Sequence, residues 1–182
     1  MSATQHTPQS VIEFWKHAGP KRWFAKDEAF DARFRDTFHT THLQAARREL
    51  EHWLDSAQGA LALLILLDQY PRNAFRGTAH MFATDPLARL YARRLVDAGL
   101  DQQIDPGLRA FCYLPFEHSE NPADQQRSLI LNQALDASTY HWAKEHARII
   151  ERFGRFPHRN EVLARETTEE ERAFLDEGGF AG

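Results

Sequence analysis

The run Ala60-Leu61-Ala62-Leu63-Leu64-Ile65-Leu66-Leu67 has no polar residue on any face, and the polar stretch DQYPRN (68–73) follows it directly. A helix that is apolar all round must be buried on every side, so the remainder of the chain has to wrap it. Eight residues are far short of the ~20 needed to cross a bilayer. The run therefore predicts a core helix over about 56–69 in a soluble protein. At 182 residues the chain is long enough to bury roughly 70% of its unfolded surface. It is expected to form one domain over 1–182, with residues 1–7 loosely ordered.

Prolines divide the rest of the chain in two ways. Thr7-Pro8, Asp85-Pro86, Asp105-Pro106 and Asn121-Pro122 each set a capping residue before a proline at the first helical position, where the missing N–H costs nothing. Pro71, Pro115 and Pro157 instead follow Tyr70, Leu114 and Phe156 at the ends of apolar segments and read as stops. The resulting helices lie at about 8–18, 27–37, 40–54, 56–69, 86–98, 106–113, 122–136 and 138–153. Two short pieces follow at 160–165 and 168–177. Gly154 stands where a left-handed C-cap belongs, and Thr168 with Glu171 has capping-box spacing. No alternating β-pattern competes. The fold class is all-α, about 8–10 helices in antiparallel hairpins of a tetratricopeptide-like kind, although no 34-residue repeat is visible.

Composition excludes some functions. With 42% hydrophobic and 26% charged residues and a net charge of −4, the chain lacks the basic surplus of a general nucleic-acid binder. The N-terminal MSATQHTPQSVIEFW has neither the basic nor the apolar region of a secretory signal, and the lone Cys112 excludes an internal disulfide. These features point to a cytoplasmic protein with no membrane partner.

Chemistry concentrates in three stretches: DQYPRN (68–73), YLPFEHSE (113–120) and RFGRFPHRN (152–160). They are expected to converge on one polar site. Asp68 sits at the negative end of the most apolar helix and needs a cationic partner, for which Arg72 and Arg76 are nearest. Asn73 is read as the cap of a short following helix. In the third stretch Gly154, Phe156, Pro157 and Asn160 serve as helix cap, anchor, stop and next cap. Arg155, His158 and Arg159 are left with no acid among them, so their counter-charge must be Asp68, Glu117, Glu120, Asp124 or a bound anion. His146 shares an inward stripe with Ala143, Ile150 and Phe153, about two turns, roughly 10 Å, before that cluster.

His118, Glu120 and His146 are the residues suited to proton exchange. Asp68, Arg72, Arg76, Arg155, His158 and Arg159 are suited to holding a carboxylate or phosphate. A buried ion network with no ligand would use the same residue types. No His-Glu-x-x-His and no paired Glu-x-x-His occurs, so neither a metal site nor a cofactor is assigned.

The chain resembles the bacterial domain of unknown function 924 family from about residue 8 to about 177. The residues that carry the resemblance are Trp23-Phe24, LALLILLDQYPRNAFRGT (61–78), YLPFEHSE with Asp124-Gln125, and His146 leading into RFGRFPHRN. Leu163, Arg165 and Thr168-x-Glu170-Glu171 continue it. The resemblance implies an all-helical, tetratricopeptide-like fold and withholds a biochemical role. Asn132, in RSLILNQAL, departs from the family pattern and is given no function. Two functions compete: binding, with hydrolytic turnover, of a small anionic metabolite or peptide carboxylate, and a helical module that docks a peptide or protein over a structural ion network.

Overall fold

A computed structural model describes residues 6–180, and every regular element among them is helical. Residues 1–5 of the segment expected to be loosely ordered lie outside that range; Thr7, its last residue, is fixed as a cap. The contacts fall into two compact units, one reaching Arg76 and including His80–Pro115, the other comprising Gly77–Ala79 and the chain from Phe116 on.

In the first unit, α1 (Pro8–Ala18) begins with a reciprocal capping box between Thr7 and Ser10. The short α2 (Pro20–Trp23) follows across Gly19. α3 (Glu28–Ala46) is one helix, where a break near residues 38–40 was expected. Neither Gly nor Pro interrupts these residues, and buried Phe30, Phe34, Phe38, Thr41, His42 and Ala45 continue one stripe. A 3₁₀ turn (Glu51–Asp55) leads into α4 (Ala57–Leu64). Every residue from Ala60 to Leu67 is at most 1% exposed, as the all-apolar run requires. Each Leu or Ile contributes about 1.5–3 kcal/mol. Rings of Phe14, Trp15, Phe30, Phe34 and Phe38 interlock between α1 and α3.

The apolar helix does not stop at Pro71. A single π-turn (Ile65–Gln69) carries it into α5 (Tyr70–Ala74). The donor for the carbonyl of Leu67 in α register, or of Leu66 in π register, would be the N–H that Pro71 lacks. Both carbonyls are instead capped by side chains: Nδ1–H of buried His42 donates to Leu66 O at 2.9 Å, and the Thr84 hydroxyl donates to Leu67 O. Thr84 is thereby drawn away from capping α6 (Asp85–Asp97), and Asp85, expected as the cap, is its first residue.

α7 (Pro106–Glu117) also runs through its proline, correcting the stop expected at Pro115 and the helix end expected near residue 113. Burial of Phe111, Cys112, Tyr113, Leu114 and Phe116 outweighs one lost hydrogen bond near the helix end.

The second unit is built on α8 (Pro122–Leu135) and α9 (Ala137–Phe153), a helical hairpin joined through Asp136 alone. Asn121 caps α8, Asp136 caps α9, and Gly154 closes α9 in the left-handed conformation at φ 69°. Phe156, Ile149 and Ile150 form its core, with Phe153, Phe174 and Phe180 against them. The helix expected at 160–165 is absent: a 3₁₀ turn (Pro157–Arg159) is followed by a turn with Ala164 at φ 52°. The left-handed Ala164 reverses the chain, and Arg165 N–H bonds back to Asn160 O at 2.8 Å, so no helical ladder continues. α10 (Glu169–Asp176) starts with the expected Thr168–Glu171 capping box.

Candidate functional site

The charged residues of DQYPRN are fastened inside the first unit. Asp68 is 1% exposed and accepts from Gln69 Nε2 at 2.6 Å. Arg72 forks onto Asp85 at 2.8 and 2.9 Å, donates to Asp68 O at 2.8 Å, and lies 3.3 Å from Asp68 Oδ1. Burial opposes the Arg72 charge, but Asp68 and Asp85 outweigh it and raise its pKa. Arg76 is bound to Asp31 at 3.0 Å, and Asn73 donates to the other oxygen of Asp31 at 2.7 Å instead of capping a helix. Asp31 and Asp85 were not legible as partners, since they lie 45 and 13 residues away. Elsewhere in this unit an open hollow of about 280 Å³ is lined by Phe14, His17, Arg22 and Arg33, none of them in the three stretches.

The second unit brings YLPFEHSE and RFGRFPHRN together. The end of α7 is knitted by Gln125, whose Nε2 donates to Glu117 O at 2.7 Å and Ser119 O at 2.6 Å. The Ser119 hydroxyl donates to Asp124, the first-turn acid of α8, at 2.8 Å. Glu120 is saturated: it accepts from Phe156 N–H at 2.8 Å and from both terminal nitrogens of Arg165 at 2.8–3.1 Å. Burial raises its carboxyl pKa, but these donors outweigh it and hold the group ionised. The turn at Ala164, where Arg165 N–H reaches Asn160 O at 2.8 Å, delivers that guanidinium.

Arg155 finds its counter-charge in Glu171, outside the set of acids expected for it. Its Nε and Nη2 donate to the two carboxylate oxygens at 2.5 and 2.7 Å. Glu171 also accepts from Asn160 Nδ2 at 3.1 Å and Thr168 N–H at 2.9 Å, so Asn160 braces α10 from the side. The Arg155 hydrogen bond is the main reason its pKa falls to about 2. Capping-box spacing had marked Glu171 in the sequence, but as a cap alone.

His146 and Glu117 form a different arrangement. Both are buried, and His146 Nδ1 lies 3.1 Å from Glu117 Oε1 and 2.9 Å from Trp142 O. Both neighbours are acceptors, which places the proton on Nδ1. Asn132 Nδ2 approaches the other Glu117 oxygen at 3.4 Å while donating to Ser128 O at 3.0 Å. Around the His146 ring stand His118 at 6.1 Å between centroids, Phe156 at 5.6 Å and Phe180 at 4.6 Å; His158 packs on Phe156 and Phe180 at 5.7 and 5.3 Å. Arg159, 7% exposed, donates to His118 O at 3.0 Å and lies over Phe156 with its guanidinium carbon 4.4 Å from the ring centre. Among the described residues no group of three or more His, Cys, Asp or Glu is placed to share a metal ion. None of their helices is long and apolar enough to cross a membrane.

An all-helical chain with these three stretches in this order defines the class, and comparison with known proteins agrees. The family model described as bacterial protein of unknown function (DUF924) matches residues 11–179, and the chain belongs to that family. It is similar to a solved structure, that of the protein of unknown function ATU0120 from Agrobacterium tumefaciens, with 57% identity and a TM-score of 0.92. That match covers 94% of this chain and 97% of the other. No curated protein matches the chain.

Proposed function

We propose that the protein binds a small anionic metabolite or peptide carboxylate at the His146 site and acts on it by proton transfer. The observation that carries this reading is the buried Glu117–His146 pair at 3.1 Å. A carboxylate on Nδ1–H fixes the tautomer in which Nε2 is the basic nitrogen, and it stabilises the imidazolium formed when Nε2 takes a proton. Arg159 supplies positive charge beside that ring, His158 packs next to it, and His118 is the second exchanging group. Asp68, Arg72, Arg76, Arg155 and Glu120 are read as fastenings, because each is engaged by an ion pair within its own unit.

The test is a thermal-shift and turnover screen with succinate, inorganic phosphate and N-acetyl amino acids, on wild type, Glu117→Gln and His146→Gln. Wild type is expected to be stabilised by at least one anion. Hydrolysis is expected to fall by about 10²–10⁴-fold in His146→Gln, with Glu117→Gln in between. No shift with any anion, or shifts and rates unchanged in His146→Gln, removes the reading.

The alternative, a tetratricopeptide-like docking module, draws on Trp142, an α9 indole that is 50% exposed. Under it, Trp142→Ala abolishes capture of a stoichiometric partner and leaves anion binding unchanged.

A further inference from the structure

The residues after α10 return onto the His146 site by a built turn. Gly178 N–H donates to Leu175 O at 3.1 Å and Gly179 N–H to Phe174 O at 2.9 Å, the paired bonds of a Schellman motif. Gly178 holds φ 83°, a left-handed conformation that favours glycine. A side chain at Gly179 would collide with the carbonyl and ring of Phe174. Both glycines are therefore required for the chain to reverse here, and what the reversal delivers is the ring of Phe180.

That ring does not merely cover apolar core. It meets His146 edge-to-face at 4.6 Å and His158 edge-to-face at 5.3 Å, two imidazoles of the candidate site, while packing toward Ile149, Ile150 and Phe156. A ring with no polar atom thus stands against the imidazole of a buried, carboxylate-oriented histidine. It is held there by a two-glycine hinge and remains only partly buried.

We propose that Phe180 is an intramolecular occupant of an aryl-binding subsite next to His146, and that the ligands of this site are aryl-bearing carboxylates whose ring displaces it. The inference rests on the anion-binding reading of the same site and adds the chemical class of the ligand. Edge-to-face imidazole contacts favour an aromatic ring over an aliphatic chain of equal size. A ligand ring entering the subsite removes apolar surface from water, and in the wild type it must first expel Phe180. The tail residue is then a competitor built into the chain.

The experiment measures binding of 3-phenylpropionate and propionate to the wild type and to Phe180→Ala by calorimetry, with circular dichroism to confirm that the variant is folded. Phe180→Ala is expected to bind 3-phenylpropionate at least about ten-fold more tightly than propionate, and at least about ten-fold more tightly than the wild type does, as burial of one ring allows. Phe180→Leu, which keeps an apolar plug without the aromatic edge, is expected to fall between them. Equal affinity of Phe180→Ala for the two acids, equal affinity of variant and wild type for 3-phenylpropionate, or no binding of either acid to the variant overturns the subsite. Anion-dependent shifts with succinate or phosphate that vanish in His146→Gln would persist in each of those cases if only the aryl subsite is wrong, so the two readings fail separately.

Discussion

At the scale of the residue, a run of arginines is informative only once each counter-charge is located. Arg155, His158 and Arg159 were legible as a cation-rich turn, yet the acid that Arg155 uses sits 16 positions on, at Glu171. Glu171 receives four donors on two oxygens and is 2% exposed. Replacing one oxygen by an amide, in Glu171→Gln, turns a donor toward a donor. That substitution should destabilise the fold by about 1.5–3 kcal/mol, the range for hydrogen bonds to a charged group, read as a lower urea midpoint at pH 7. An unchanged midpoint would show the pair to be idle. Glu117 illustrates the complementary gap. YLPFEHSE marked it as one candidate counter-charge for the arginine turn, but only the fold shows that it, and not Glu120, faces His146. Asn132, given no function from sequence, is its other neighbour. Period and spacing place a side chain on a face; they do not say which partner from another helix stands opposite.

Among the elements, helix starts were far more legible than helix ends. A proline after a capping residue acts locally, so the onsets of α1, α7 and α8 follow from a few adjacent residues. A proline inside an apolar run is decided by tertiary packing instead, and Pro71 and Pro115 both lie within continuing helices. For Pro71 the fold answers with two side chains, and their necessity can be measured. Thr84→Val removes the donor to Leu67 O at nearly constant shape, leaving a buried carbonyl unsatisfied at a cost of about 1–3 kcal/mol. Thr84→Ser keeps the hydroxyl and should retain most of the stability. In the Thr84→Val background, Pro71→Ala returns an N–H to the turn and should recover part of the loss. Denaturant unfolding of the wild type, Thr84→Val, Pro71→Ala and the double variant forms a double-mutant cycle, and purely additive effects would dissociate the π-turn from the missing donor.

For the molecule as a whole, the buried titratable groups set a pH profile whose direction can be worked out in advance. His42 is wholly buried, and burial is the chief cause that lowers its pKa from 6.5 to about 4; the neighbouring His80 and His39 lower it further, against the bond to Leu66 O. Between those two values the unfolded chain binds a proton that the folded chain refuses, so stability is fully present above pH 6.5 and declines as the pH falls toward 4. The loss amounts to about 2 kcal/mol by pH 5 and about 3 kcal/mol in full. Glu171, with a folded pKa of about 2 against 4.5 unfolded, acts in the same sense at lower pH: its contribution is complete above 4.5 and is lost between 4.5 and 2. Urea midpoints should therefore fall continuously on acidification, through His42 from about pH 6.5 to 4 and through Glu171 from about pH 4.5 to 2. His42→Asn separates them, because the Asn amide can still donate to Leu66 O but cannot titrate. Its midpoint should be flat from pH 7 to 5 and should still drop below 4.5, whereas a decline from pH 7 to 5 as steep as that of the wild type would place the acid sensitivity on groups other than His42.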